Sequence, residues 1–262
     1  MKIVIPMAGH SRRFKAIGYN DPKPFIMIDG KMMIEYVCQM FSPNDEFIFV
    51  CNEEQLKNER HYARLRTVVP HGRVIGIPAH ELGPVYSSLA ADPYLATDEE
   101  VIISYCDFFV HWNYKAFLMK AQNYDGGIPV FRGFHPASYG DTNYCYLRGN
   151  EGGELLELRE KRSFTDNRVQ EHASVGIYYF DRWSTYQHYA NLIIKGEEKV
   201  AGEYYVSLVF NPMVRDGKKV CLHEVDKFIC WGTPEDLEQY LFWSGYFKDH
   251  ANRIMKYEVE NA

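Results

Sequence analysis

The sequence predicts an α/β fold with a doubly wound, mostly parallel central sheet and helices on both of its faces. Four short apolar segments are continuous rather than alternating, which is typical of parallel strands buried on both faces. They are residues 2–6, 46–51, 73–77 and 100–106. Between them lie segments with helical periodicity, at residues 31–41, 53–66 and 83–95, and this alternation indicates βαβ units.

The pattern changes after residue 125, where strand-like segments follow one another with only turns between them. We therefore expect the second half of the chain to add a mixed β region to the first sheet. These segments are residues 126–133, 143–149, 154–161 and 173–180, and one more strand is predicted over 218–225, after two helices. Helices are predicted over residues 184–196 and 203–217, the latter with Gly217 as C-cap, and from Thr233, an N-cap followed by Pro234.

The chain has no internal repeat, low-complexity segment or linker-like stretch, so we expect one domain over residues 1–262. Residues 1–125 and 126–245 form its two halves, and residues 246–262 form a C-terminal tail. The tail carries no motif, and a homodimer contact is one role open to it.

Composition limits the classes of function. Hydrophobic residues make up 46% of the 262 residues, which is enough for a well-formed core, and the net charge of −6 argues against a dominant nucleic-acid-binding surface. No apolar segment reaches the roughly 20 residues of a membrane span, and the N-terminus lacks a signal-peptide pattern. The six cysteines have no CxxC spacing, which fits buried thiols in a reducing compartment. We expect a cytoplasmic protein without a nucleic-acid or membrane partner.

The loop after the first strand, "MAGHSRRF" (7–14), has the composition of a phosphate-binding loop. Ligands of doubly wound sheets bind at the carboxyl ends of the strands. Gly9 allows close approach of the backbone, and Arg12 and Arg13 supply positive charge. Lys23 lies between two prolines that restrict the backbone on both sides. A rigid lysine beside this loop predicts stabilisation of charge on phosphate oxygens.

Asp107 follows the last apolar segment of the first half. Magnesium often takes only one or two protein carboxylates, with phosphates and water as its other ligands. The loop, the lysine and this carboxylate together indicate nucleoside triphosphate chemistry. An ordinary turn at the loop and an N-cap role for Asp107 are the structural alternatives.

These residues resemble a known family. "IPMAGHSRRF" (5–14) and "DPKPFIMIDGKMMIEYV" (21–37) are similar to the "AGxGxR" loop, "PKP" lysine and "xGKPMIE" helix start of the sugar-phosphate nucleotidyltransferases. Further matches follow in the family's order: "ELGPVYSSL" (81–89), "SYCDF" (104–108), "PASYGD" (136–141), "LREKR" (158–162), "ASVGIYYF" (173–180), "GEYYVSLVFN" (202–211) and "WGTPEDLEQY" (231–240). The resemblance covers roughly residues 1–240 and implies a GT-A-like three-layer fold.

The resemblance implies roles for individual residues. Arg13, Lys23 and Asp107 would be catalytic, with Asp107 on Mg²⁺. The family's second metal position falls on Cys230, so we take Asp226, the nearest acid, as the substitute ligand. If neither serves, Mg²⁺ would rely on Asp107, phosphate oxygens and water. Residues 1–125 would bind the NTP through Ala8, Gly9, His10, Ser11, Arg12, Arg13, Lys23, Gly83, Pro84, Ser87 and Cys106. Residues 126–245 would bind a small phosphorylated acceptor through Tyr139, Gly140, Glu160, Lys161, Gly176 and Glu203.

The implied reaction is in-line attack of the acceptor phosphate, most readily that of a sugar 1-phosphate, on the α-phosphorus. Pyrophosphate leaves, and the product is an activated sugar for polysaccharide (capsule) or glycoconjugate synthesis. The sequence departs from the family at the phosphate loop, where Ser11 replaces a glycine and Arg12 replaces a hydroxyl residue. It also has Pro78 where a base-reading glutamine is expected, and Cys230 where a second metal carboxylate is expected.

Other functions stay open from the sequence alone. A close variant uses CTP and a non-sugar acceptor, such as a phosphorylated alcohol or amine. A nucleotide-sugar glycosyltransferase usually has a DxD motif, and "CDFFVHW" (106–112) offers one aspartate. A dinucleotide-binding oxidoreductase needs the GxGxxG pattern, which the first loop lacks. A non-catalytic regulator on the same fold would be expected to lack Lys23 or Asp107, and both are present.

Overall fold

A parallel core forms the centre of the protein, as seen in a computed structural model that describes residues 1–138 and 143–260, without the side chains of Pro136 and 252–260. The first strand, β1, lies between two parallel neighbours, and a fourth strand extends the sheet on one side. The strands are β1 (Lys2–Met7), β4 (Glu46–Asn52), β5 (Arg73–Ile77) and β6 (Val101–Ser104), in the order β5-β4-β1-β6.

The second half continues the same sheet with mixed pairing. Its strands are β8 (Gly126–Phe131), β9 (Cys145–Gly149), β10 (Leu155–Glu160), β11 (His172–Ser174), β12 (Ile177–Phe180) and β13 (Val220–Glu224). β12 pairs antiparallel with β6, and the described residues form a ten-stranded sheet in the order β10-β9-β11-β8-β12-β6-β1-β4-β5, with β13 parallel to β8. The predicted α/β fold with an added mixed region is confirmed.

The sheet is buried on both faces, as the continuous apolar strands predict. Ile3 and Ile5 of β1 pack into one apolar layer, and Val4 packs into the layer on the opposite face. Neighbouring strands alternate in the same way, with Phe49 on the first side and Val50 on the second. Because successive side chains of a strand point to opposite faces, an unbroken apolar strand supplies both layers.

Nine helices are present in the described residues: α1 (Arg12–Ala16), α2 (Met33–Gln39), α3 (Glu53–Leu56), α4 (Glu59–Val68), α5 (Pro84–Ser88), α6 (Tyr114–Ala121), α7 (Trp183–Lys195), α8 (Phe210–Arg215) and α9 (Pro234–Glu260). None of them, within the described part of the chain, is both long and apolar enough to cross a bilayer. α6 was not predicted. The prediction that Thr233 caps the last helix is confirmed, since its hydroxyl accepts from Asp236 N and donates to Asp236 Oδ2.

Three predicted helices differ from the structure at their boundaries. The segment 53–66 is split because Asn58 accepts a hydrogen bond from Arg60 N and so caps a new helix. The segment 83–95 changes after α5 into a 3₁₀ helix that contains Pro93. The segment 203–217 begins helical structure only at Val206, because the preceding residues pair with other loops. Gly217 follows α8 in the left-handed region, at a φ of 79°.

The predicted strand over 173–180 is two strands. Gly176 separates β11 from β12 with a φ of 93°, a conformation that favours glycine. Its carbonyl accepts a hydrogen bond from Tyr105 N, and a Cβ at this position would lie 3.1 Å from ring atoms of Phe108 and Tyr105. The interruption therefore brings the end of β6 and the β11–β12 turn together.

Two short antiparallel ribbons lie outside the main sheet, and neither was predicted. β2 (Met27–Ile28) pairs with β3 (Lys31–Met32), and β7 (Phe108–His111) pairs with β14 (Lys227–Cys230). In the second pair, which we call the β7–β14 ribbon, Cys230 is opposite Phe108 and Lys227 is opposite His111. The ribbon starts directly after Asp107 and ends just before Gly232, so it brings these two residues to one end.

We predict that His135 stabilises the fold through the β7–β14 ribbon. The ring is 5% exposed, and its Nδ1 accepts a hydrogen bond of 3.0 Å from Phe228 N. His135→Ala would leave this buried N–H unpaired and open a cavity, so the free energy of unfolding should fall by about 2–4 kcal/mol. Urea denaturation at pH 7.5 measures this, with the exposed His71→Ala as control. Equal stability of the two variants would contradict the assignment.

The same contact sets a pH dependence. Burial lowers the pKa of His135, and the ring must stay unprotonated at Nδ1 to accept from Phe228. In the unfolded chain this histidine has its ordinary pKa near 6.5, so it takes up a proton at a higher pH than in the folded protein. The folded protein therefore loses stability as the pH falls below about 6.5. Denaturation midpoints between pH 7.5 and 5.5 should decline, and less steeply for His135→Ala.

Candidate active site

Two cavities open at the carboxyl ends of β1 and β6. The first, which we call the β1-loop cavity, has a volume of about 570 Å³ and is lined chiefly by residues 6–14, 80–87 and 105–107. The second, the ribbon cavity, has a volume of about 820 Å³ and lies among residues 143–145, 174–178 and the end of the β7–β14 ribbon. The residues that line both are Arg13, Tyr105, Asp107, Lys161, Tyr205 and Gly232. The two cavities therefore adjoin along a shared wall.

The structure brings the predicted nucleotide-side residues together. All of them line the β1-loop cavity: Ala8, Gly9, His10, Ser11, Arg12, Arg13, Lys23, Gly83, Pro84, Ser87 and Cys106. Of the predicted acceptor-side residues, Glu160, Lys161 and Gly176 line the ribbon cavity. Glu203 instead lines the β1-loop cavity, because residues 200–205 form a loop there rather than the start of a helix. Tyr139 and Gly140 lie outside the described residues.

Lys23 is held at the junction by three contacts. Its Nζ pairs with Asp107 Oδ2 and donates to Gly232 O at 2.9 Å, and its backbone N donates to Ser11 Oγ at 3.0 Å. Burial alone would lower the pKa of Lys23, but the neighbouring Asp107 carboxylate outweighs it, so the pKa is raised. The lysine is therefore cationic, and Asp107 precedes strand β7 rather than a helix, which excludes the N-cap role.

Ser11 explains one departure from the family pattern. Its φ of 55° and ψ of 31° lie in the left-handed region, where a non-glycine residue carries a strain of about 1–2 kcal/mol. The hydroxyl offsets this strain by accepting the hydrogen bond from Lys23 N. A serine at this position keeps the loop conformation that a glycine would allow and ties the loop to the lysine segment.

Gly9 has free space around its α-carbon. The Gly9 carbonyl accepts a hydrogen bond of 3.0 Å from Gln55 Nε2, which fixes the loop after β1 to the α3 helix. A Cβ built at Gly9 meets no protein atom within 4 Å in the described part of the chain, and the residue has no positive φ. The fold itself therefore does not require glycine here, and the open space faces the β1-loop cavity.

At Gly83, unlike Gly9, the fold leaves no space for a side chain. Its φ is 89°, and a Cβ would lie 2.8 Å from Tyr204 N and 2.9 Å from Tyr204 O. The two segments are already joined, since Tyr204 N donates to Leu82 O and Val85 N donates to Tyr204 O. Gly83 is required by this close backbone contact, which fixes one wall of the cavity.

Arg12 extends over the mouth of the β1-loop cavity and pairs with Glu81. Both side chains are more than half exposed, so the pair contributes little to stability, about 0–1 kcal/mol. The contact connects the loop after β1 with the segment that precedes α5. The second arginine of the loop, Arg13, lies at the shared wall of the two cavities.

The ribbon cavity has an aromatic and acidic wall. Its aromatic residues are Tyr105, Phe108, Tyr144, Tyr178, Tyr205 and Phe228. Burial raises the pKa of Glu160, which accepts a hydrogen bond of 2.5 Å from Ser207 Oγ. Lys161 lies beside it, with Nζ 4.6 Å from the centre of the Tyr205 ring. The cavity thus offers cations at its junction and a carboxylate with aromatic rings deeper inside.

The predicted pairing of Asp226 with Asp107 is wrong. Asp226 N donates to His111 O at the far end of the β7–β14 ribbon, so about 13 Å of strand, at about 3.3 Å per residue, separates it from Asp107. Asp236 is the second carboxylate at this place, because a Cβ on Gly232 would lie 3.5 Å from Asp107 Oδ2 and 3.9 Å from Asp236 Oδ2. No cluster of three or more metal-ligating side chains occurs among the described residues.

Sequence reasoning missed several residues of the two walls. Tyr105, Tyr205, His80 and Asp236 line the cavities, and none carries a motif of its own. One signal was available: "TPED" (233–236) has the Ser/Thr-x-x-acid spacing of a capping box, which places the acid beside the residue that precedes the helix.

The family can now be assigned. Residues 3–170 match the family of MobA-like NTP transferase domains, which is more than half of the chain. The protein belongs to this family. It is a nucleotidyltransferase, and the three catalytic candidates Arg13, Lys23 and Asp107 all fall inside the matched region.

Solved structures share the fold. A nucleoside-diphosphate-sugar pyrophosphorylase from Vibrio cholerae RC9 is similar at 21% identity and a TM-score of 0.73, over 91% of this chain and 99% of that chain. A UDP-glucose pyrophosphorylase complexed with UDP-glucose has 15% identity and a TM-score of 0.71, over 95% and 98%. The inositol-1-phosphate CTP transferase of T. maritima has 17% identity and a TM-score of 0.66, over 92% and 94%. At these identities the likeness shows the fold alone, and no curated protein matches the sequence.

We predict that Gly9→Ala weakens NTP binding without destabilising the protein. The new methyl group would meet no protein atom within 4 Å, so the melting temperature should stay within about 2 °C of wild type. A triphosphate wrapped on this loop would meet the methyl group, and we expect the Kd for the NTP to rise at least about 10-fold, or 1.4 kcal/mol. Isothermal titration calorimetry measures this, with Gly245→Ala as control because its Cβ also meets nothing. Unchanged affinity in Gly9→Ala would remove the loop from the phosphate site.

Proposed function

We propose that the protein transfers a nucleoside monophosphate from an NTP to a sugar 1-phosphate and releases pyrophosphate, giving an activated sugar for polysaccharide or glycoconjugate synthesis such as that of a capsule. The observation that carries this proposal is the junction of the two cavities, where Arg13, Asp107 and Lys161 belong to both walls. The six unpaired cysteines support a cytoplasmic location.

In this proposal the NTP occupies the β1-loop cavity and the acceptor occupies the ribbon cavity. The triphosphate follows Gly9 to Arg13, with Arg13 on the departing pyrophosphate, while Lys23 exchanges Asp107 for the α-phosphate. An oxygen of the acceptor phosphate forms a bond to the α-phosphorus as the bond to the bridging oxygen breaks, and that oxygen leaves with pyrophosphate. Positioning and fixed positive charge supply the catalysis, since no covalent step on the protein is needed.

The residues at the cavity junction fit Mg²⁺ if the phosphate oxygens of the substrates complete its coordination shell. Asp107 lies at the junction of the two cavities, and Asp107 and Asp236 both lie beside Gly232. Mg²⁺ often takes one or two carboxylates, with phosphate oxygens and water as its other ligands. Burial raises the pKa of Cys230, so a neutral thiol stands where the family has a carboxylate, and it is a poor ligand for this ion. When bound, Mg²⁺ would neutralise phosphate charge. Asp107 would hold it, and Asp236 is the nearest second carboxylate.

A second acceptor class is favoured by the wall of the ribbon cavity. Aromatic rings with a half-buried carboxylate, Glu160, suit the amine of a phosphorylated amino alcohol as well as sugar hydroxyls. The T. maritima neighbour is an inositol-1-phosphate CTP transferase, which supports the inclusion of non-sugar phosphates and CTP. Pro78 stands at the expected base-reading position, so the choice of base is left to experiment.

The test is pyrophosphate release. The protein is incubated with Mg²⁺, one of five NTPs (ATP, CTP, GTP, UTP or dTTP) and either a sugar 1-phosphate, inositol 1-phosphate or a phosphorylated amino alcohol. We expect release with one NTP and one acceptor class, and none without an acceptor. Absence of release with every pair would overturn the proposal, and release only with the amino alcohol would replace the sugar by the second class.

We predict that Lys23→Ala lowers kcat by about 10²–10³, as expected for loss of one preorganised charge at the transition state. Lys15→Ala is the matched control, because Lys15 is an exposed lysine on α1 outside both cavities. Circular dichroism checks that both variants fold. A Lys23→Ala enzyme with the kcat of Lys15→Ala would exclude the proposed role.

We also propose that a second copy of this chain covers the outer face of α9. Asp29 binds Tyr240, Ser244 and Lys248, which fixes the inner face of the helix. On the outer side the exposed aromatic residues are Phe242, Trp243, Tyr246 and Phe247. With about 200 Å² per ring and roughly half of each exposed, the four rings on each of two symmetric copies would together bury about 800 Å². The rest of the helix surface would have to supply the remainder of the ~1,200 Å² of small stable interfaces.

The expected result is a dimer of twice 30.6 kDa by light scattering after gel filtration. The double variant Phe242→Ser/Phe247→Ser should run as a monomer, because it removes the largest apolar area of the face. Tyr62→Ser, another exposed aromatic residue, serves as control. A wild-type protein that stays monomeric over a 100-fold range of protein concentration would contradict the proposed dimer.

A further inference from the structure

We propose that His80 is a positioning residue for the nucleotide: its neutral ring ties Leu82 to Ser87 and so shapes the segment 80–83, a wall of the β1-loop cavity. This inference rests on the proposed use of that cavity for the NTP. The family match "ELGPVYSSL" (81–89) begins one residue after His80, so the resemblance assigns His80 no role. Its role follows from its own contacts.

The hydrogen bonds fix the tautomer of the ring. Leu82 N lies 3.1 Å from Nδ1 and can only donate, so Nδ1 carries no proton. Nε2 therefore carries the proton in the neutral ring and donates to Ser87 Oγ at 2.9 Å. The Ser87 hydroxyl proton is then free to point at Gly83 O, 3.5 Å away. One directed chain runs from the ring through Ser87 to Gly83.

The ring is also fixed by packing. It lies edge to face with Tyr86, at 4.8 Å between ring centres. On the other side, Leu82 and Gly83 contact the backbone of Tyr204. The segment is thus held by His80 and α5 on one side and by the loop at Tyr204 on the other. Loss of the His80 ring would remove one of these two supports.

The segment directs backbone groups and one charge toward the cavity. His80, Glu81 and Gly83 line it, and Glu81 pairs with Arg12 across its mouth. In the part of the chain that the structure describes, the N–H groups of Glu81 and Gly83 donate to no protein acceptor. Since these groups touch the bound nucleotide rather than the reacting atoms, His80 should affect the KM for the NTP and leave kcat nearly unchanged.

Protonation would break the arrangement. An imidazolium donates at both nitrogens, and Nδ1–H would then face Leu82 N–H. Burial lowers the pKa of His80, His10 lowers it further, and Glu203 opposes both. The other charges near the segment are Glu81 and its partner Arg12. Because the pKa lies below its ordinary value near 6.5, the ordered segment is present above that pH and is lost at lower pH.

Three variants separate positioning from bulk structure. His80→Asn keeps an acceptor for the backbone N–H of Leu82, as in an Asx turn, and loses the bond to Ser87. Ser87→Ala removes the bond from the other side, and His80→Ala removes both. We expect the KM for the NTP to rise about 10-fold in His80→Ala, and about 3-fold in His80→Asn and in Ser87→Ala, with kcat within 2-fold. The double variant His80→Asn/Ser87→Ala should be no worse than either single variant.

The pH profile adds a second readout. Lowering the pH from 7.5 to 5 should raise the KM of the wild-type enzyme more steeply than that of His80→Asn. Exposed His71→Ala should follow the wild type. A wild-type KM in His80→Ala, additive effects in the double variant, or identical pH profiles would overturn the proposal.

Direct binding keeps this test apart from the proposed reaction. Each of the five NTPs with Mg²⁺ is titrated into wild type and His80→Ala by calorimetry. If no acceptor supports pyrophosphate release, the proposed function fails, but a 10-fold loss of NTP affinity in His80→Ala still supports the role of His80. Equal affinities in an otherwise active enzyme would exclude the role of His80 and leave the reaction intact.

Discussion

One ammonium group connects the parts of the chain that form the site. Lys23 Nζ contacts Asp107, 84 residues away, and the carbonyl of Gly232, 209 residues away. A partly buried cation is stable only with such partners, because its removal from water is otherwise unfavourable. The contacts therefore require the end of β6, the end of the β7–β14 ribbon and the loop after β1 to meet at one point. The two cavities adjoin at that point, and their shared wall follows from it.

Under the proposed function, the same two residues would form a pair at rest and act in catalysis. In the structure Lys23 and Asp107 neutralise each other. A triphosphate would give the lysine a new anion, and a divalent cation would give the carboxylate a new partner. In the proposed reaction, each charge of the resting pair would thus exchange its present partner for one in the substrate complex.

The sequence was most informative where local pattern decides structure. Continuous apolar strands predicted the parallel core, and the glycine–arginine loop and Lys23 were placed correctly at its edge, because strand ends in such sheets lie on one side. Long-range register was not legible. Neither strand of the β7–β14 ribbon has a strong pattern, so Asp226 was assigned to the wrong end and Asp236 was overlooked. Glu203 and His80 depend on loop conformations that only tertiary contacts create.

The most direct measurement is a crystal structure with Mg²⁺ and the NTP that supports activity, in a form with a methylene group between the α- and β-phosphorus. We expect the triphosphate along Gly9 to Arg13 in the β1-loop cavity, with Lys23 Nζ on the α-phosphate and separated from Asp107. A nucleotide bound elsewhere, or one that leaves the Lys23–Asp107 pair intact and touches neither residue, would contradict it.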